Sequence, residues 1–288
     1  MSLLTTAAPV VLLSILFLLV WGAVHLAYPA AASLGRRSAD RFFRFVLRGR
    51  VARWSGEHGE KIGAWLPVGT ILVAGFVVAL FAGAAFLEIA EALQEESEGL
   101  ARFDQTIHAS VRDIRNAGAT LLFLFFTHAG TPLSLTIIVI VVSSGLALAR
   151  QFRRAIFLVV TTALGGILSR MLKAIFARER PDLAHAIRHA EGFAFPSGHA
   201  MGSTVVFGAL LYLALRKLHA WPARSAAIAL AITFVIAVSL SRVYLGVHWI
   251  SDITAGVLAG TVWVVAAAAA YEALRRMSRL RGRRRSTE

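Results

Sequence analysis

The sequence contains no cysteine, which excludes disulfides and thiolate metal sites. Charge is scarce as well. Asp, Glu, Lys and Arg make up 16% of the 288 residues, where a soluble domain carries about a quarter. Lysine is nearly missing: only Lys61, Lys173 and Lys217 stand among thirty basic residues. Acids are outnumbered, with sixteen Asp and Glu, and the net charge is +14. Ten-residue segments of alternating hydrophobicity are absent, which argues against a membrane β-barrel. A basic excess can mark a nucleic-acid binder. In a chain this apolar it instead anchors loops against anionic lipid and fixes orientation, so no nucleic-acid partner is expected.

What the chain has is apolar residues, 57% of the total, with a mean hydropathy of +0.69. They come in long blocks, and about 20 such residues cross a bilayer as a helix. The pattern predicts an all-α fold, a polytopic membrane helical bundle with seven spans. These cover roughly 9–28, 66–90, 132–149, 155–176, 199–215, 223–240 and 251–271. The apolar stretch 120–127 is too short to cross and reads as an interfacial or re-entrant segment before the third span. The organisation is an extra N-terminal span with an arginine-rich segment (1–65), a six-helix core (66–272) and a polybasic tail (273–288).

Basic residues cluster in loops that seven spans place on one side. They are Arg36–Lys61 between the first two spans, Arg150, Arg153 and Arg154 after the third, Arg216, Lys217 and Arg224 after the fifth, and the tail. By the positive-inside rule that side is the cytoplasm. The segment 91–131 on the other side carries Glu91, Glu95, Glu96, Glu98, Asp104 and Asp113 against three arginines. Residues 1–10 carry no positive charge, which argues against a cleaved signal peptide. Cleavage after 30–32 is the alternative, and it would release the arginine-rich segment outside unless the second span alone set orientation. Phe43, Leu47, Val51 and Trp54 fall at helical spacing opposite Arg41, Arg44 and Arg48, as in an amphipathic helix on the inner leaflet. Gly256 and Gly260 form a small-xxx-small pair suited to close packing within the bundle.

Three polar segments interrupt this apolar chain: Lys173 with Arg180-Pro181, then Pro196-Ser197-Gly198-His199, then Ser241-Arg242 with His248 and Asp252. Counting crossings puts all three at the face away from the arginine-rich loops. Arg180 and Arg242 can grip phosphate oxygens with paired hydrogen bonds. Lys173, in an apolar stretch, needs an anion or a route to the interface. Ser197 is placed to cap the fifth span, and Gly198 lets backbone approach a ligand closely. The free amides of Gly198 and His199 point at an anion, with the helix dipole behind them. Three cations and a helix N-terminus also suit the extra charge of five-coordinate phosphorus. Asp252, four residues after His248, can fix one ring nitrogen and turn the other outward. His248 is then the candidate nucleophile and His199 the candidate general acid.

The pattern K-x6-R-P, P-S-G-H, S-R-x5-H-x3-D resembles the type-2 phosphatidic acid phosphatase superfamily at every motif position. That resemblance implies the six-helix membrane core and a phosphohistidine intermediate on His248. It also implies a proton from His199 to the leaving group, and phosphate binding by Lys173, Arg180, Ser197, Gly198, His199 and Arg242. It implies no metal or other cofactor. The expected activity is a lipid phosphatase at the external face of the cell membrane. Similar bacterial members act on undecaprenyl diphosphate, phosphatidylglycerol phosphate or phosphatidic acid, ranked here in that order. A phosphotransferase with a non-water acceptor and a non-catalytic lipid-phosphate transporter are the alternatives. His185 and His189 have a spacing that can bind metal. With only Asp182 and Glu191 nearby, they read as a solvated loop that touches the head group. His108, His128 and the acidic run 95–98 read as ordinary external loop.

Overall fold

The computed structural model describes residues 15, 17–25 and 75–285, with side chains as far as Ser278. Its helices are Gly75–Gln94 (α1), Glu98–Asp113 (α2), Ala117–Ala129 (α3) and Pro132–Leu148 (α4). They continue as Phe152–Phe176 (α5), Gly198–Leu215 (α6), Trp221–Tyr244 (α7) and Ile250–Arg285 (α8). No strand occurs among the described residues. The all-α bundle inferred from the sequence is therefore the observed architecture.

Five helices, α1 and α5–α8, are each long and apolar enough to cross a bilayer. α3 and α4 are so only as a pair, bent by 54°. The stretch 120–127 is thus the middle of a 13-residue helix joined to the third predicted span. Of the first predicted span, residues 15 and 17–25 are described and helical. The amphipathic segment around Phe43–Trp54 lies outside the described residues. Trp21 Nε1 donates to Ser225 Oγ (3.0 Å), and Trp221 Nε1 donates to the His25 carbonyl (3.0 Å). The end of that first helix therefore abuts the start of α7. The polybasic tail continues α8 as helix to Arg285.

Helix starts in apolar surroundings need their free amides satisfied. Asn116 Oδ1 accepts from the Ala119 amide at the head of α3, and Thr131 Oγ1 from the Ser134 amide at the head of α4. Pro132 and Pro222 open α4 and α7, where a missing N–H costs nothing. Outward-facing positions such as Phe81, Leu133, Leu148 and Ile175 are exposed and apolar, as lipid contact requires.

α6 lies at the centre, packed on α5, α7 and α8. Its contact with α8 is close because of the predicted glycine pair. A Cβ on Gly260 would sit 2.8 Å from Thr204 Cβ, and one on Gly256 would sit 2.8 Å from the Ser197 carbonyl oxygen. One end of the bundle holds a polar cluster in which Arg216 and Arg275 both pair with buried Glu272. The opposite end gathers the C-termini of α5 and α7 and the N-termini of α6 and α8, and with them every motif residue.

Gly256→Ala is therefore expected to disturb both stability and chemistry. The Cβ would meet backbone, which cannot swing aside, and overpacking of this kind costs about 1–3 kcal/mol. Gly145→Ala, with open space at its Cβ, is the control. Thermal unfolding and turnover should fall together for Gly256→Ala and stay near wild type for Gly145→Ala. An unaffected Gly256→Ala would contradict the packing.

Candidate active site

The start of α8 carries the central pair. His248 Nδ1 lies 3.2 Å from Asp252 Oδ2, which also accepts the Trp249 amide at 2.9 Å. Asp252 is fully buried and His248 nearly so. One helical turn separates them, so the i,i+4 spacing read from sequence becomes a real contact. The carboxylate accepts the Nδ1 proton and leaves the Nε2 lone pair outward. Burial holds the His248 imidazole down to about 4, against the opposing pull of Asp252. A neutral ring with a free lone pair is what nucleophilic attack needs.

The three motif cations surround that ring. Arg180 Nη1 lies 3.2 Å from His248 Nε2 and donates to the Val247 carbonyl at 2.7 Å. Its other nitrogens donate to the carbonyls of Glu191, Gly192 and Phe193. Lys173 Nζ donates to the carbonyls of Phe193 (2.6 Å) and Ala194 (3.3 Å). Arg242 Nη1 donates to Thr127 Oγ1, while its Nε is buried without a partner. Burial lowers the Arg180 pKa, which records the cost of holding a guanidinium in this loop.

Ser197, Gly198 and His199 open α6. The Ser197 amide donates to the Asp252 carbonyl at 2.9 Å, which ties this helix start to α8. The expectation that the Ser197 side chain caps the helix is not met. Its hydroxyl makes no cap hydrogen bond and is a buried, unpartnered group. The residue holds the N-cap position by backbone alone, so its hydroxyl is left for another oxygen. The Gly198 Cα faces Lys173 Cε and Ser169 Oγ, at 3.6 and 3.8 Å from an added Cβ. His199 lies beside the α3–α4 bend, where a Cβ on Gly130 would come within 3.4 Å of its ring.

Several contributors were not singled out from the sequence. Arg178 forks between two carboxylates: Nη1 to Asp252 Oδ1 and Nη2 to Asp104 Oδ2, both at 2.7 Å. Asp104 on α2 is buried and also accepts from the amide and hydroxyl of Ser251. It was counted as one acid among many in an external loop, yet it is a structural anchor. His128, read as ordinary loop, has Nε2 2.6 Å from Arg188 Nη1. His108 packs its ring on Trp249. His189 and Glu191 line the cavity, while the His185 carbonyl braces Arg115. Burial is the largest cause lowering the His108 pKa, followed by the charge of Arg115.

His199, His248, Lys173, Arg180, Gly198 and Arg242 all face one cavity of 740 Å³. From this charged end it extends along α4 and α5, past Leu135, Val139, Ile140, Val159 and Ile167. A cationic pocket with an adjoining apolar channel fits an anionic head on a hydrocarbon chain. Among the described residues, no group of three His, Asp or Glu converges as a metal site requires.

A helical membrane bundle with this site is similar to a known class of phosphatases. Residues 154–276 match the PAP2 superfamily, and that region contains every motif residue. Phosphatidylglycerophosphatase B of Bacillus subtilis is 28% identical over 155 residues, 53% of this chain and 75% of that protein. An Escherichia coli protein, YbjG, provisionally named as an undecaprenyl-diphosphatase, is 29% identical over 134 residues, 45% of this chain and 62% of that protein. The crystal structure of a transmembrane PAP2-type phosphatidylglycerolphosphate phosphatase from Bacillus subtilis superposes with a TM-score of 0.60 at 25% identity. That match covers 66% of this chain and 93% of the other. The chain carries a PAP2 superfamily domain over residues 154–276, and its relatives support a phosphatase hydrolase.

The Arg178 fork yields a coupling test. Arg178→Gln strands two buried carboxylates and should cost about 3–5 kcal/mol of stability. Asp104→Asn in the same background removes one of them and should restore part of that loss. Additive losses in the double variant, measured by thermal unfolding in detergent, would show that the two residues do not depend on each other.

Proposed function

We propose that this phosphatase removes the terminal phosphate of a membrane lipid through a phosphohistidine on His248. Undecaprenyl diphosphate is the preferred substrate, ahead of phosphatidylglycerol phosphate and phosphatidic acid. His248 Nε2 attacks phosphorus as the bond to the leaving oxygen breaks, and His199 delivers a proton to that oxygen. Water then attacks the phosphohistidine while His199 takes its proton, which frees phosphate and restores both rings. Asp252 holds the His248 tautomer. Lys173, Arg180, Arg242, Ser197 and the amides of Gly198 and His199 carry the phosphoryl oxygens. No metal takes part.

The observation that carries this reading is the His248–Asp252 pair with its Nε2 edge turned to the cationic cavity. Nε2 meets Arg180 Nη1 there. A phosphate that takes over the Arg180 donor releases the lone pair at the same moment, so binding and nucleophile exposure are one event. The apolar channel supports a lipid over a soluble phosphate ester. The names of the two relatives support the choice among lipids. The arginine-rich loops on the opposite side of the chain support a site on the extracytoplasmic face of the cell membrane, with the C-terminal tail in the cytoplasm.

Purified protein should release phosphate from undecaprenyl diphosphate in the presence of a chelator. His248→Ala should lower turnover by roughly 10⁴-fold or more, as loss of a covalent nucleophile does. Equal release by wild type and His248→Ala would overturn the mechanism.

The pH profile is a separate check. His248 attacks only when neutral, so kcat/KM falls as pH drops through its pKa. With that value held down to about 4, the acid limb should lie well below the ordinary imidazole range of about 6.5 once substrate ionisation is corrected for. An acid limb at 6.5 or above would contradict a buried neutral His248.

A further inference from the structure

Two cations in the cavity belong to no motif. Arg188, on the loop between α5 and α6, lines the cavity with His199, His248 and Arg242. It is close enough to Arg242 for their like charges to interact. Arg170 stands on α5 one turn before Lys173 and lines the same cavity. Its side chain is exposed and makes no hydrogen bond or ion pair among the described residues.

The way Arg188 is held sets it apart from an ordinary surface arginine. Thr127 and His128 are consecutive at the end of α3. Thr127 Oγ1 accepts from Arg242, and His128 Nε2 accepts from Arg188 at 2.6 Å. One helix end thus places a motif arginine and a non-motif arginine side by side. Neither acceptor is a carboxylate, so neither positive charge is cancelled. Glu191 is the one carboxylate among the cavity-lining residues, against Arg170, Lys173, Arg180, Arg188 and Arg242. Lys173, Arg180 and Arg242 with the α6 N-terminus suffice for one phosphate. Arg170 and Arg188 are a surplus of two charges next to it. A cation in a membrane helix with no protein partner points to an anion from the substrate.

We propose that Arg188 and Arg170 form a second-anion subsite, which takes a second phosphate on the substrate and selects lipids with two phosphates over lipids with one. The proposal rests on the lipid-phosphate reading above. The second phosphate has two possible sources: the adjoining phosphate of a prenyl diphosphate, or the phosphodiester of phosphatidylglycerol phosphate. Either keeps the terminal phosphate at His248 and sets the other against the two arginines.

The test measures kcat/KM in detergent micelles on undecaprenyl diphosphate, phosphatidylglycerol phosphate and phosphatidic acid, for wild type, Arg188→Gln, Arg170→Gln and Arg188→Lys. The preferred two-phosphate lipid identifies the source. Its kcat/KM ratio over phosphatidic acid should fall by roughly tenfold to a hundredfold in Arg188→Gln, the size of one lost charged hydrogen bond. Arg170→Gln should lower the same ratio, and Arg188→Lys should recover part of it. Phosphatidic acid turnover reports folding in each variant. An unchanged ratio in both glutamine variants, whether because all three substrates fall together or none falls, overturns the subsite. Failure of wild type to release phosphate from any of the three overturns the lipid-phosphate reading itself.

Discussion

One guanidinium ties together the end of this bundle that carries the candidate site. Arg178 reaches Asp252 and Asp104 from a position where its own side chain is 13% exposed and the two acids 0% and 1%. Removing three charges from water is expensive, and the geometry must return that cost. Here it does so with two short contacts on opposite nitrogens of one planar fork, the arrangement arginine suits and lysine cannot copy. Ser251 donates its amide to Asp104 Oδ1 and its hydroxyl to Oδ2, the oxygen that Arg178 also holds. The result couples three elements far apart in sequence: α2, the loop after α5, and the start of α8. Arg178 fixes the Asp252 oxygen that does not face His248, and the Trp249 amide holds the one that does.

Backbone closeness supplies the rest. α6 and α8 touch through Gly256 and Gly260, so the Asp252 carbonyl can accept the Ser197 amide. Without Cβ atoms at those glycines, two helix N-termini meet at the site, and their free amides and dipoles face the same space. The broken α3–α4 pair works in the same way. Its bend at Gly130 lies against Val238 and the His199 ring. A straight helix would carry Thr127 and His128 past the site, whereas the 54° turn delivers both to arginines.

The apolar helices, the bundle class and the gathering of the three motifs at one end were legible because they depend on local signals. Apolar length, spacing within a turn and parity of crossings all lie within tens of residues. The i,i+4 relation of His248 and Asp252 is the shortest such case. Asp104 and Arg178 were not legible, since a pair 74 residues apart leaves no spacing pattern in one sequence. Thr127 and Arg242 are 115 apart and equally silent. The Ser197 cap failed for a different reason. Its residue type and position were right, but the hydroxyl is buried and makes no hydrogen bond to the helix amides. Arg180 was expected to offer its donors to phosphate. They are spread over loop carbonyls, because a buried guanidinium takes whatever acceptors are near.

The acceptors themselves sort the buried cations. Arg178, Arg216 and Arg275 end on carboxylates, Arg178 on two and the other pair on the one carboxylate of Glu272. Lys173 and Arg180 end on backbone carbonyls, and Arg242 on a hydroxyl. Neutral acceptors satisfy hydrogen bonds without removing charge, so these three are fixed in place yet still positive. An anion arriving in the cavity meets oriented cations that need no rearrangement of counter-ions to receive it, which is the condition for strong electrostatic stabilisation. The same bracing explains why burial is tolerated in a segment so close to lipid. Each carbonyl dipole repays part of the lost hydration while leaving the positive charge uncancelled.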